Sequence, residues 1–226
     1  MKSIILYHGS TKVIEMPTLG LGNPKNDYGL GFYCTENLEL AKEWAATERS
    51  DGFANRYEVN LDDLKILRLN DKPYHILNWL SVLLKNRTFV LSQGLPFEAR
   101  EYLLNHFLPE YESYDLIIGY RADDSYFSFA NAFLNNTISL EQLRKAMMLG
   151  KLGEQVVLKS EKAFKRVVYT ESIPVDSSLY YPKRQARDRQ AREDFQKEKN
   201  RMSAVDSIYM IDILRLNWTN EDPRLQ

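Results

Sequence analysis

Apolar and polar positions change period several times along this chain, and the changes predict a mixed order of strands and helices. Runs that are apolar throughout or alternate with polar residues predict strands, whereas apolar residues three and four apart predict helices. The predicted strands cover residues 3–9, 29–35, 55–61, 64–69, 115–120, 154–160 and 166–175. The predicted helices cover residues 35–47, 74–87, 97–108, 123–136, 139–150 and 180–201. This order predicts an α+β fold.

Thr35 is predicted to cap the helix that follows the second strand, because its side chain can accept a hydrogen bond from the first turn. The helix is expected to run to about Thr47, with Leu38, Ala41 and Trp44 on one face. Trp44 therefore lies on the apolar side of the predicted helix.

Composition bounds the class of protein. The 226 residues are 44% hydrophobic and carry a net charge of -1, which is typical of one globular domain, with or without an appendage. Cys34 stands alone and the three histidines are scattered, so neither a disulfide nor a metal site is expected. The first ten residues predict a strand and show no signal peptide. We expect a cytoplasmic protein without a membrane partner.

Residues 180–201 form a charged segment with eight basic and four acidic residues and no glycine. The pattern predicts a long solvated helix. One interpretation is a basic arm for nucleic acid or an acidic partner, and the other is a surface helix with opposite charges at helical spacing. The mixing of the two signs favours the surface helix.

Two Gly-x-Gly fragments, at 20–22 and 29–31, precede a pair of aromatic residues. Neither fragment completes a dinucleotide-binding fingerprint, because neither is followed directly by a helix. Tyr33 and Trp44 are eleven residues apart and could hold a flat ring between them, or could both belong to the core. His8, at the end of the first strand, is either a structural or a functional histidine.

Three motifs together resemble a known superfamily. The stretches YHGS, GLGFYCTENLELAKEWA and LGEQVVLKS resemble the His, Tyr and Glu elements of the ADP-ribosyltransferases of the diphtheria-toxin and poly-ADP-ribose polymerase branch. Within it, the chain is most similar to the bacterial family catalogued as domain of unknown function 3990, over about residues 3–170. The resemblance implies split antiparallel sheets around an NAD cleft in residues 1–176, with helical insertions. Residues 177–226 would then be a C-terminal helical appendage.

The resemblance also implies roles for individual residues. His8 matches the histidine that hydrogen-bonds a ribose hydroxyl of NAD. Gly9 matches the residue whose backbone binds the nicotinamide carboxamide, and Ser10 lies beside it. Tyr33 matches the aromatic residue against which nicotinamide packs, and Trp44 would form the opposite wall.

Glu154 matches the catalytic glutamate of the polymerase branch, which would stabilise positive charge on the ribose as the nicotinamide bond breaks. In the domain-3990 family, the residue that recurs at this strand is instead a glutamine, which matches Gln155. Successive strand residues point to opposite faces, so only one of the two can enter the cleft. Glu154 is therefore predicted to be catalytic, together with His8 and Tyr33, and Gln155 is kept as a cofactor-binding alternative.

Asp123 and Asp124 form a second acidic candidate before a predicted helix. They would either recognise or deprotonate an acceptor, or act as the N-cap and first turn of that helix. Arg121, just before them, could reach the NAD pyrophosphate.

The activity implied by the resemblance is mono-ADP-ribosyl transfer from NAD to a macromolecular acceptor, protein or nucleic acid, without a metal. A toxin with a neutralising partner protein fits the same family. One alternative is an NAD glycohydrolase, in which water replaces the acceptor. The other is an inactive NAD-binding or interaction module, which becomes the better interpretation if Glu154 faces away from the cleft.

Overall fold

The computed structural model describes residues 2–122, 124–149, 153–201 and 207–225, which form seven strands and eight α-helices. The strands are β1 (Ser3–Ser10), β2 (Phe32–Cys34), β3 (Gly52–Asn60), β4 (Ile66–Arg68), β5 (Leu116–Tyr120), β6 (Glu154–Leu158) and β7 (Val167–Val175). The helices are α1 (Leu38–Ala45), α2 (Ile76–Asn86), α3 (Leu95–His106), α4 (Asp124–Leu134), α5 (Leu140–Ala146), α6 (Glu161–Phe164), α7 (Ser177–Lys199) and α8 (Met210–Arg215). The predicted mixed α and β composition is confirmed.

The strands form two sheets. The first has the order β1-β3-β7 and is antiparallel throughout. The second has the order β2-β6-β5-β4, and its β4 runs parallel to β5. The prediction of purely antiparallel sheets is therefore wrong for the second sheet. Parallel neighbours need a long crossover connection, and the buried helix α2 and helix α3 provide it.

Apolar side chains of both sheets meet in one layer of the core. Leu6 and Tyr57 of the first sheet pack in the same buried cluster as Ile118, Val156 and Leu158 of the second. The opposite face of the second sheet, which carries Ile117 and Val157, packs into a larger cluster built mainly from helices. Both faces of β5 and β6 are therefore buried, which explains their continuous apolar runs.

Helix α2 lies inside the larger cluster, and nine consecutive residues from Ile76 to Leu84 are buried. Seven of these nine residues are apolar, which is expected of a helix in the centre of a core. Within the described part of the chain, none of the helices combines the length and the apolar character needed to cross a membrane.

The C-terminal segment is built into the same large cluster. Phe195 of α7, Met210 and Ile213 of α8, and Trp218 after it are all buried there. On the outer side of α7, opposite charges pair at helical spacing, for example Arg192 with Asp188 at 2.8 Å. This arrangement matches the surface-helix interpretation, and it shows that the segment after residue 176 shares its core with the rest of the chain.

Helix α1 begins later than predicted. Asn37 is the N-cap, and its Oδ1 accepts a hydrogen bond from the Leu40 N–H at 3.2 Å. Thr35 instead pairs through its backbone with Tyr7, and its hydroxyl donates to the Glu154 carbonyl. Thr35 thus continues β2, because strand pairing satisfies its backbone groups before the helix can begin.

Candidate functional site

The residues predicted to contact NAD meet at a cavity of about 210 Å³ that both sheets and helix α1 border. A second cavity of about 400 Å³ adjoins it, and His8, Asn26 and Tyr33 line both. The first cavity is lined by His8, Gly9, Asn26, Asp27, Tyr33, Trp44, Arg87, Arg121, Ala122 and Gln155. The structure therefore brings together six of the predicted site residues: His8, Gly9, Tyr33, Trp44, Gln155 and Arg121, the last predicted as a pyrophosphate contact.

A backbone bridge between the two sheets places His8 beside Tyr33. Tyr7 and Thr35 exchange two backbone hydrogen bonds at 2.8 and 2.9 Å, so the end of β1 lies against β2. His8 Nδ1 is 2.7 Å from the Tyr33 carbonyl oxygen, and the imidazole stacks on Phe32 with ring centroids 4.4 Å apart. The imidazole is held on both its edge and its face.

These contacts determine the protonation of His8. A carbonyl oxygen can only accept, so Nδ1 carries the hydrogen and Nε2 of the neutral ring is left as an acceptor. Burial lowers the pKa of His8, and the hydrogen bond to Tyr33 only partly opposes that shift. The neutral ring can therefore accept a hydrogen bond from a ligand hydroxyl.

Tyr33 is held by the loop that precedes it. Its hydroxyl donates to the Gly29 carbonyl at 2.6 Å and accepts from the Tyr28 N–H at 3.0 Å. Burial raises the pKa of Tyr33, so the phenol stays protonated. The glycines of this loop allow a close approach, because a Cβ on Gly31 would lie 2.6 Å from Cγ1 of Val157. The Tyr33 ring is thus a fixed wall.

Gly9 has a packing role that the resemblance did not assign. A Cβ at this position would lie 2.1 Å from the Ala41 carbonyl oxygen and 2.9 Å from Cβ of Trp44. The absence of a side chain lets α1 pack directly on β1, and this brings Trp44 to the cavity.

Ser10, which was predicted to lie beside the nicotinamide contact, is not among the residues that line the cavity. Its hydroxyl accepts a hydrogen bond from the Lys12 N–H at 3.2 Å.

Trp44 has a cationic partner. The guanidinium carbon of Arg121 lies 3.9 Å from the centroid of the indole ring, a cation–π contact. One face of the indole is therefore occupied by Arg121. Trp44 was predicted to form an aromatic wall of the site. Together with Arg121, it forms a wall of one indole and one guanidinium group.

An ion pair connects α1 with α7. Glu43, directly before Trp44, accepts two hydrogen bonds from Arg187 of α7, at 2.8 Å from Nε and 2.6 Å from Nη2. Its side chain is only 6% exposed. Helix α7 thus supports α1, the helix that carries Trp44.

Glu154 and Gln155 point to opposite faces of β6, as strand alternation requires. Gln155 is 4% exposed and lines the 210 Å³ cavity. Glu154 is exposed, borders a separate cavity beside the start of α1, and accepts a hydrogen bond from Asn70 at 2.6 Å. The expectation that Glu154 enters the cleft is therefore corrected, and Gln155 occupies that place.

Asp27 is a cavity residue that sequence reasoning missed. Its side chain is 7% exposed, and Oδ2 accepts from the Ala122 N–H at 2.9 Å and from Gln155 Nε2 at 2.8 Å. Arg87 Nε lies 3.7 Å from Oδ1. Burial raises the pKa of Asp27, while the two hydrogen bonds and the charges of Arg87 and Arg121 oppose the shift.

The side chains of the acidic pair Asp123 and Asp124 are not among those that the structure describes. Asp123 lies outside the described residues. Asp124 is the first residue of α4, which fits the alternative that it belongs to the first turn of that helix. Its predicted role toward an acceptor stays a prediction.

Comparison with known proteins identifies the family. A family model described as protein of unknown function (DUF3990) matches residues 4–169, so the chain belongs to that family. No curated protein and no solved structure matches the chain. Every residue that lines the 210 Å³ cavity lies within the matched part, whereas α7 and α8 lie beyond it.

Proposed function

We propose that this member of the DUF3990 family binds NAD, breaks its nicotinamide–ribose bond and transfers ADP-ribose to a macromolecular acceptor. One observation carries the proposal. His8, Gly9, Tyr33 and Trp44, which the resemblance to ADP-ribosyltransferases assigns to NAD, line a single cavity although they come from three different elements.

The chemistry of the cavity walls suits a dinucleotide. Nε2 of the neutral His8 can accept a hydrogen bond from a ribose hydroxyl, and the fixed ring of Tyr33 offers a surface for a flat heterocycle. Arg87 and Arg121 bring two positive charges to the same cavity, and guanidinium groups bind phosphate oxygens well.

The size of the two adjoining cavities supports an elongated ligand. Ligand sites usually have volumes of about 300–1,000 Å³, and the cavities of about 210 and 400 Å³ share His8, Asn26 and Tyr33. The larger one has apolar walls that include Ile14, Leu21 and Phe32. The two cavities together thus offer charged and apolar walls, and NAD carries both a charged pyrophosphate and flat aromatic rings.

The proposed reaction needs orientation and electrostatic support. The bond between ribose C1′ and the nicotinamide nitrogen breaks, and its electron pair neutralises the pyridinium ring. The ribose becomes oxocarbenium-like, and an acceptor nucleophile attacks C1′ and loses a proton. Contacts that fix the nicotinamide and ribose let binding energy lower the barrier.

A second candidate function is NAD binding without transfer. The outward position of Glu154, held by Asn70, favours it, because the carboxylate expected to stabilise the ribose cation is not in the cavity. This module would bind NAD with the same residues and release no nicotinamide.

Titration calorimetry with NAD, combined with chromatography of released nicotinamide, tests the proposal. We expect Tyr33→Ala to weaken NAD binding by about 1–3 kcal/mol, the scale for losing an aromatic wall against a flat ring. Tyr114→Ala is the matched control, since Tyr114 is half-buried outside the cavity and contacts Lys65. Circular dichroism of both variants checks that they fold.

The outcomes separate the candidates. If the wild-type protein neither binds NAD nor releases nicotinamide, the proposal is wrong. Binding without release supports the NAD-binding module. Release without labelled product, when NAD labelled in the ADP-ribose part is incubated with cell lysate, supports a glycohydrolase. Where label is transferred, digestion with nuclease or protease identifies the class of acceptor.

A further inference from the structure

Asp27 and Gln155 form a buried pair in the wall of the cavity. We propose that the pair takes the role that was expected of Glu154, which faces away from the cavity. Asp27 positions the Gln155 amide with its carbonyl oxygen toward the ribose and supplies negative charge near the breaking bond. Asp27 is in this sense a positioning residue, and Gln155 is the residue that touches the substrate. The inference rests on the proposed function, because it concerns the ribose of NAD.

The orientation of the Gln155 amide follows from its two partners. Nε2 lies 2.8 Å from Asp27 Oδ2 and 3.2 Å from the Tyr120 carbonyl oxygen, and both partners are acceptors. A flipped amide would place oxygen against oxygen twice, so only the NH₂ group fits there. Among the described residues, no hydrogen bond engages Oε1 of Gln155, which leaves this oxygen as the acceptor for a ligand hydroxyl.

Asp27 is placed to keep this arrangement and to carry charge. Its Oδ2 receives hydrogen bonds from the Ala122 backbone and from Gln155, and its Oδ1 faces Arg87 Nε at 3.7 Å. Two N–H donors on one oxygen and a cation near the other stabilise the ionised form of a carboxylate. The Ala122 N–H fixes the carboxylate, which in turn fixes the amide.

The pair can stabilise the transition state without bonding to it. A charged acceptor polarises the amide and makes its carbonyl oxygen a stronger acceptor. As the bond from C1′ to nicotinamide breaks, positive charge grows on the ribose, and a preorganised negative charge in a poorly hydrated site favours that state. Asp27 forms no covalent bond and transfers no proton. The nicotinamide leaves with the electron pair of the broken bond.

A charge exchange between the two residues tests the proposal. The variants are Asp27→Asn, Gln155→Glu and the double variant with both changes, and the readouts are kcat for nicotinamide release and the Kd for NAD. We expect Asp27→Asn to lower kcat about 10²- to 10³-fold, the range for losing one preorganised electrostatic contact, with Kd changed less than about threefold. Gln155→Glu places two carboxylates in contact, so its activity falls and its pH profile moves.

The double variant distinguishes chemistry from structure. It restores one carboxylate and one amide in exchanged positions, and we expect its kcat to exceed that of Asp27→Asn about tenfold or more, because a carboxylate again acts on the ribose. Glu154→Gln is the matched control, because Glu154 lies on the opposite face of β6, and it should keep wild-type kcat. Wild-type kcat in Asp27→Asn, or a double variant no better than Asp27→Asn, would overturn the proposal.

A spectroscopic readout keeps the test valid if a single variant folds poorly. The side-chain amide protons of Gln155 can be followed by NMR in the wild-type protein across pH. Titration of the Asp27 carboxyl should shift the resonances of these protons, since the Gln155 amide donates one of them in a hydrogen bond to that carboxyl. If the chemical shifts of the amide protons do not change as Asp27 titrates, the positioning role is contradicted. If wild-type protein binds NAD but releases no nicotinamide, the proposed function and the catalytic role fail together, while the NMR result still decides the positioning role.

Discussion

The ion pair between Glu43 and Arg187 joins α7 to α1, the helix that carries Trp44, and its loss should lower the stability of the fold. The contact is bidentate, with distances of 2.8 and 2.6 Å. Glu43 is 6% exposed and Arg187 is 26% exposed. Arg187→Met keeps most of the aliphatic stem and removes the charge, so it leaves a buried carboxylate without its cation.

The size of the effect follows from burial. Removing one partner of a fully buried pair costs about 3–5 kcal/mol. Because Arg187 is partly exposed, water screens the charge that remains. We therefore expect Arg187→Met to lower the free energy of unfolding by about 2–3 kcal/mol.

Urea denaturation of the single and double variants measures this energy. The double variant Glu43→Leu with Arg187→Met removes both charges, and replacing a buried pair by apolar residues is often close to neutral. Arg192→Met is the matched control on the same helix, because its pair with Asp188 is exposed and should be worth less than about 1 kcal/mol. The reasoning is refuted if Arg187→Met costs no more than Arg192→Met, or if the two changes are additive in the double variant.

Three further changes test the site at single positions. Tyr33→Phe keeps the ring but leaves the Tyr28 N–H and the Gly29 carbonyl without their partner, so urea denaturation should show a loss of about 1–3 kcal/mol; an unchanged midpoint contradicts this. The lowered pKa of His8 means that the unfolded chain binds a proton near pH 6.5 before the folded one does, so stability falls as pH drops below that value, by up to about 1.4 kcal/mol per pH unit. His8→Gln should remove this contribution to the pH dependence of the free energy of unfolding, measured by denaturation from pH 7 to 5. The same pH dependence in wild type and variant would contradict a lowered pKa of His8. Gly9→Ala should destabilise by about 1–3 kcal/mol or more, because its methyl group meets the backbone of α1; a variant with wild-type thermal stability contradicts the packing role.

Much of the architecture could be predicted because hydrophobic period reflects burial directly. The predicted strands and helices occur in the predicted order, although the short helices α6 and α8 were not predicted, and alternation correctly separates Glu154 from Gln155. The parallel pairing of β4 with β5 was not predicted, because pairing partners depend on contacts between distant segments. The start of α1 was misjudged for the same reason, since Thr35 is engaged by Tyr7 of another strand.

The candidate site shows a similar division. His8, Tyr33 and Trp44 stand in motifs whose spacing attracts attention in the sequence. Asp27 stands in a turn-like stretch beside Asn26, where an acidic residue usually indicates an exposed loop. Its burial depends on Ala122 and Gln155, which are 95 and 128 residues away along the chain. No local pattern could have indicated this contact.

The register of the second sheet explains why Gln155, and not Glu154, belongs to the cavity. In the antiparallel pair of β2 and β6, Tyr33 lies opposite Val157, so their side chains share one face. Gln155 is two residues from Val157 and therefore shares that face with Tyr33. A one-residue shift of β6 would bring Glu154 inward, but it would also turn Gln155 away from Asp27 and leave that carboxylate with one hydrogen bond fewer in a buried position. The pair of Asp27 and Gln155 thus stabilises the register that turns Glu154 outward, and among the described residues that line this cavity Asp27 is the one that carries a carboxylate.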